Sequence, residues 1–148
     1  MMVSPVWISA AAKSSIISVY DGPVPQSDAP RRRILVVDDE QDIIDILQEH
    51  LATTYDVTSA RDGRRALELV RATRPDLIFL DIAMRGIDGM DVLKAVKDFD
   101  PTIPVITITA NTDTSLAAEV IKRGAFSYLP KPFDFRYLEH LAASALSR

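Results

Sequence analysis

From about residue 31 onward, short apolar runs alternate with stretches in which apolar residues recur every three or four positions. The run ILVV at 34–37 is a strand candidate, and its unbroken apolarity suits burial on both faces. Residues 41–51 carry Ile44, Leu47 and Leu51 along one helix face. A short second strand is expected over 55–59, followed by a helix over 63–73 that Pro75 stops. LIFL at 77–80 predicts a third strand, and 89–98 a helix with Leu93 and Val96 on one side. VITIT at 105–109 predicts a fourth strand, 114–123 a helix with Gly124 as its C-cap, and 127–129 a short fifth strand. The last helix spans 135–146, with Leu138, Leu141 and Ala145 spaced for packing.

These are five βα units. Continuous apolar strands separated by helices imply a parallel sheet covered on both faces, with right-handed crossovers. Five such units suit an α/β, doubly wound, flavodoxin-like sandwich with strand order 2-1-3-4-5. Ahead of the pattern, DGPVPQSDA at 21–29 reads as a linker. The chain therefore divides into an N-terminal extension and linker over 1–30 and one domain over 31–148.

Composition narrows the function classes. A formal charge of −4 gives no broad basic surface for direct nucleic-acid binding. The absence of cysteine excludes disulfides and thiol chemistry. No stretch approaches the roughly 18 apolar residues of a membrane span. The first twenty residues are apolar but broken by Ser4, Pro5, Lys13, Ser14 and Ser15. A secretory signal carries its basic residues ahead of the apolar run, whereas Lys13 interrupts it. A cytoplasmic protein is expected, with neither nucleic acid nor membrane as direct partner.

In open α/β sheets, ligands bind at the carboxyl ends of the strands. Strand 1 ends in Asp38, Asp39 and Glu40, strand 3 in Asp81, strand 4 in Thr109, and strand 5 runs into Lys131. Singly, each has an ordinary explanation: a helix cap, a loop cap, a strand residue, a solvated charge. Together they place carboxylates, a hydroxyl and an ammonium at one crevice. Clustered carboxylates repel one another unless a cation intervenes, and an all-oxygen site suits Mg²⁺. Asp81, flanked by a metal and by Lys131, would be placed to attack phosphorus and become an aspartyl phosphate. Thr109 would then donate a hydrogen bond to a phosphoryl oxygen.

The segments VVDDE (36–40), LIFLDIAM (77–84) with Asp88-Gly89 after it, TITA (107–110) and YLPKPF (128–133) occur here in one order and spacing. In that arrangement the chain from about Arg31 resembles the receiver domain of bacterial two-component response regulators, of the stand-alone kind. The resemblance implies that Asp81 is the phosphoacceptor. It implies that Asp39 holds Mg²⁺ directly and Asp38 largely through water, with Asp81 and the backbone carbonyl of Ala83 completing the protein's ligands. It implies that Lys131 pairs with the phosphoryl group and that its bond to Pro132 is cis. Thr109 and Tyr128 would form a switch pair acting on the face made by helix 4, strand 5 and helix 5. A histidine kinase or histidine phosphotransfer protein would donate, and a downstream protein target or a homodimer through that face would carry the output. The chain stops just after the last helix, so no fused effector and no enzyme activity of its own are expected. Two departures stand out: Arg85 where the family usually has Pro, and the pair Ala83 and Asn111 beside the phosphoryl position.

Other residues have plainer expectations. His50 and His140 are read as partly exposed helix residues, and Arg31 to Arg33 as a solvated flank. Trp7 and its apolar neighbours have no assigned role. Three alternatives compete. A phosphatase of the haloacid dehalogenase type would need a second Asp where Ala83 stands. A flavodoxin would need a phosphate-binding loop where Asp38 to Glu40 stand. An unphosphorylated interaction scaffold would have no use for a complete acidic site.

Overall fold

The computed structural model describes residues 30–84, 88–110 and 114–147. The extension over 1–29 with Trp7, Arg85 and Asn111 lie outside the described residues. The elements, in chain order, are β1 (Arg33–Val37), α1 (Gln41–Leu51), β2 (Asp56–Ala60), α2 (Gly63–Thr73), β3 (Leu77–Asp81), α3 (Gly89–Phe99), β4 (Val105–Thr109), α4 (Thr114–Lys122), β5 (Ser127–Pro130) and α5 (Phe135–Leu146). The five strands are all parallel and lie in the order β2-β1-β3-β4-β5, the order expected of the doubly wound sandwich.

The unbroken apolar strands have a direct cause. Successive side chains of a strand point to opposite faces. In β1, Leu35 and Val37 join one core with Val70 of α2, Leu93 of α3 and Val120 of α4. Ile34 and Val36 join the other core with Ile44 of α1 and Leu138 of α5. The same division separates Ile78 and Leu80 from Leu77 and Phe79 in β3. Both faces are covered, so β1 from Ile34 and β3 are apolar up to their carboxyl ends, while β4 also buries Thr107 and Thr109 and the edge strand β2, DVTSA, keeps exposed polar positions.

Local chemistry sets the helix ends. Asp62, Asp88 and Asp134 cap α2, α3 and α5 by accepting backbone N–H groups of Arg65, Met90, and both Arg136 and Tyr137. After α4, Gly124 adopts φ 104°, its N–H donates to the Ile121 carbonyl, and the Ala125 N–H donates to that of Val120. This is a Schellman closure, which an L side chain would strain. The second strand starts at Asp56 rather than Tyr55, because the Tyr55 N–H still donates to the Leu51 carbonyl at the end of α1.

The arginine flank does more than face solvent. Arg31 donates to the carbonyls of Ala52 (2.7 Å) and Thr54 (3.1 Å) beyond α1, and Arg32 donates to that of Leu146 (3.0 Å) at the end of α5. Helix C-termini leave such carbonyls without intrahelical donors and carry partial negative charge. Both side chains are exposed, yet each holds a helix end.

Candidate functional site

Strand register brings the expected residues to one edge. Val37 pairs with Leu80, Asp81 with Ile108, and Thr109 with Pro130. Asp38 prolongs β1, its N–H donating to the Ala60 carbonyl (3.1 Å), so its side chain is fully buried. Its Oδ1 accepts the Glu40 N–H at 2.9 Å. Its Oδ2 accepts no hydrogen bond. Asp39 is half-buried. Asp81 is buried, and its Oδ1 accepts the Ala83 N–H at 2.9 Å. One carboxylate oxygen from each of Asp38, Asp39 and Asp81 lies within 4.8 Å of the others.

Lys131 is the cation of this cluster. Its Nζ stands 3.3 Å from Asp38 Oδ2, 3.6 Å from Asp81 Oδ2 and 3.6 Å from Glu40 Oε1. At Asp38 the ammonium is close enough for charge attraction but lacks hydrogen-bond alignment. The backbone fixes its root: the Lys131 N–H donates to the Thr109 carbonyl at 2.8 Å, and the Lys131–Pro132 peptide is cis, as expected. Thr109 is buried at the same edge, and Ala83 is exposed beside Asp81.

Burial pushes the Asp38 carboxyl up to about 6, and the Asp81 charge adds to the rise, against the Glu40 N–H and Lys131. Burial also works against the Lys131 ammonium, but the charges of Asp81, Asp38 and Glu40 outweigh it and hold it above its ordinary value. Thus one acid resists ionisation while the lysine is locked in its charged form. A buried carboxylate oxygen without a donor and two further carboxylates within reach, with no nitrogen or sulfur ligand beside them among the described residues, make a hard-oxygen set. It fits a small divalent cation.

Tyr128 lies apart from this cluster. It is paired with Thr107 rather than Thr109, and its ring is 38% exposed. It borders a groove of about 490 Å³ with Ala117, Ile121 and Lys122 of α4. His50 is half-buried and stacks on Phe135 at 3.8 Å, and His140 is exposed; neither stands at the strand-end cluster. Glu40, read in the sequence among the acids ending strand 1 but given no role of its own, reaches Lys131. One residue beside the site was missed in the sequence: Arg61 donates to the Asp39 carbonyl at 2.9 Å. Arg61 follows β2, so reading the end of strand 2 alongside the other four would have found it.

Residues 34–143 match the family model of the response regulator receiver domain. The chain belongs to that family. It is the receiver module of a two-component signalling system. It is similar to the transcriptional regulatory protein ZraR of Klebsiella oxytoca, 44% identical over 115 residues that cover 77% of this chain and 26% of the relative. Against the DNA-binding transcriptional regulator NtrC of Escherichia coli K12, identity is 38% over 77% of this chain and 24% of the relative. The chain thus spans about a quarter of the length of these relatives. The solved receiver domain of NtrX from Brucella abortus superposes with a TM-score of 0.74 at 36% identity, covering 77% of this chain and 98% of that one. No helix of the described residues is long and apolar enough to cross a membrane.

Proposed function

We propose that Asp81 accepts a phosphoryl group from the phosphohistidine of a kinase or histidine phosphotransfer protein, and that the domain over 31–148 is a switch set by that event. The observation that carries this is the convergence of Asp38, Asp39 and Asp81 within 4.8 Å, with the Lys131 ammonium 3.6 Å from Asp81. The Asp81 carboxylate attacks phosphorus. An O–P bond forms as the N–P bond of the donor breaks, and the imidazole leaves with the electron pair and takes up a proton.

The residues that would hold Mg²⁺ are Asp38, Asp39, Asp81 and the Ala83 carbonyl. When bound, the ion would neutralise charge on the oxygens of the transferring group. Lys131 pairs with those oxygens from the β5 side, exchanging a carboxylate partner for a phosphoryl one. The Ala83 N–H, already on Asp81 Oδ1, steadies the nucleophile's orientation. Thr109 donates its hydroxyl to the new group, and Tyr128 leaves the groove for an inward position. That would alter the face of α4, β5 and α5, where a target protein or a second copy binds. On this reading the protein acts in the cytoplasm. The phosphatase alternative has no second acid, since Ala83 offers only a methyl group.

Intact mass after incubation with acetyl phosphate tests the proposal. The expected result is one added phosphoryl group in wild type with Mg²⁺, lost without Mg²⁺ and absent in Asp81→Ala. Labelling of Asp81→Ala to the wild-type extent would overturn it.

A further inference from the structure

α3 begins against the backbone of the loop that follows Asp81. A Cβ built on Gly89 would lie 2.5 Å from Ile82 Cα, 2.7 Å from the Ile82 carbonyl oxygen and 2.8 Å from that of Asp81. All three are main-chain atoms, so no side-chain rotation relieves the overlap. Non-bonded carbon contacts are ordinarily about 3.5–4.0 Å. Gly89 is therefore required by close approach of two backbone segments.

Neither segment is free to retreat. The Ile82 N–H donates to the Ile108 carbonyl at 3.1 Å, and Asp81 itself pairs with Ile108 in the sheet. On the other side, Val92, Leu93 and Val96 bury α3 in the core. Its first turn is fixed by Asp88, whose carboxylate accepts the Met90 N–H at 3.0 Å and whose carbonyl accepts those of Asp91 and Val92. An added methyl group must therefore displace the Asp81–Ile82 backbone or unwind the start of α3. The Ala83 N–H, one residue further, donates to the Asp81 carboxylate. A shift in this loop is passed to the nucleophile directly.

We propose that Gly89 is a positioning residue: it lets α3 seat on the phosphoacceptor loop and so fixes the direction of the Asp81 carboxylate. The claim rests on Asp81 being the phosphoacceptor. A misplacement of about 1 Å in a reacting group can cost on the order of a hundredfold in rate. The test compares Gly89→Ala with Val96→Ala, a core truncation in the same helix that adds nothing near the loop. Labelling by acetyl phosphate with Mg²⁺ is timed well below both unfolding midpoints, and the Ala83 amide is followed by ¹H–¹⁵N correlation spectra. Gly89→Ala is expected to slow labelling about tenfold or more and to move the Ala83 amide signal. Val96→Ala should lower the unfolding midpoint and do neither. If Gly89→Ala labels like Val96→Ala and leaves Ala83 in place, the proposal is overturned. Should Gly89→Ala not fold, Asp88→Ala loosens the same turn without adding an atom. It should slow labelling about threefold and shift Ala83, whereas wild-type values for both would overturn the proposal. A wild type that takes no label overturns the phosphoacceptor assignment and this role with it. A labelled wild type beside an unaffected Gly89→Ala overturns this role alone.

Discussion

Where the strands begin, charge is matched within the fold. Arg31 holds the carbonyls beyond α1 and approaches Asp56, and Arg32 holds the end of α5 and approaches Asp76, which also accepts the Arg33 N–H at 2.7 Å. Where the strands end, the carboxylates of Asp38, Asp81 and Glu40 crowd one ammonium, Asp39 stands within metal-binding reach of the first two, and a buried oxygen of Asp38 accepts no hydrogen bond. A matched edge is complete in itself. Among the described residues the other edge gathers more negative than positive charge, and in the proposed reading a cation or a new phosphoryl partner for Lys131 would relieve that repulsion, so it is the edge expected to respond to binding.

The largest break in this contrast is removal of Lys131. Two buried carboxylates then lose their cation. Lys131→Ala should cost about 2–3 kcal/mol in metal-free buffer, read by urea unfolding, and Mg²⁺ should restore part of it. An unchanged midpoint would show that the acids are not mutually strained.

Neutralising Asp38 should act in the opposite direction. Its folded pKa of about 6 lies above the ordinary 3.8. The folded state therefore binds this proton more tightly than the unfolded one. The wild type gains stability as pH falls through 6 and pays the burial of the charge above it. Asp38→Asn should be more stable than metal-free wild type by on the order of 2 kcal/mol at pH 7.5, with the gap closing towards pH 4. A gap that stays constant across that range would contradict the shifted carboxyl.

At the matched edge the effects are smaller. Arg32→Ala should cost about 0.5–1 kcal/mol, because an exposed contact to a helix-end carbonyl is worth no more. Faster amide exchange in the last turn of α5 would accompany it, with labelling of Asp81 unchanged. A labelling defect in this variant would mean that the two edges are coupled.

The contrast also explains what could be read in the sequence. The acids, Thr109 and Lys131 were visible because the strand-end rule for parallel sheets assigns them one edge before any coordinate is known. The central strands were visible because burial on both faces makes them runs of mostly apolar residues, whereas the edge strand β2, DVTSA, carries a weaker signal. Spacing alone could not rank Asp38 against Asp39. That depends on Asp38 continuing the β1 ladder through Ala60, which buries one side chain and leaves its neighbour half-buried. Nor could a run of three arginines announce its carbonyl partners, since Leu146 stands 114 residues away from Arg32. Gly89 entered the sequence reading only as the start of the helix over 89–98 and as part of the Asp88-Gly89 pair, and only the approach of α3 to Ile82 gives it a task.

The most direct measurement is the thermal midpoint of wild type and Asp38→Asn at pH 7.5, each with and without Mg²⁺. If the acidic edge is an unmatched metal seat, metal-free Asp38→Asn melts above metal-free wild type. Mg²⁺ then raises the wild type by the equivalent of about 1–3 kcal/mol at concentrations well above its dissociation constant, and raises the variant far less. A wild type indifferent to Mg²⁺, with Asp38→Asn the less stable of the two, would contradict it.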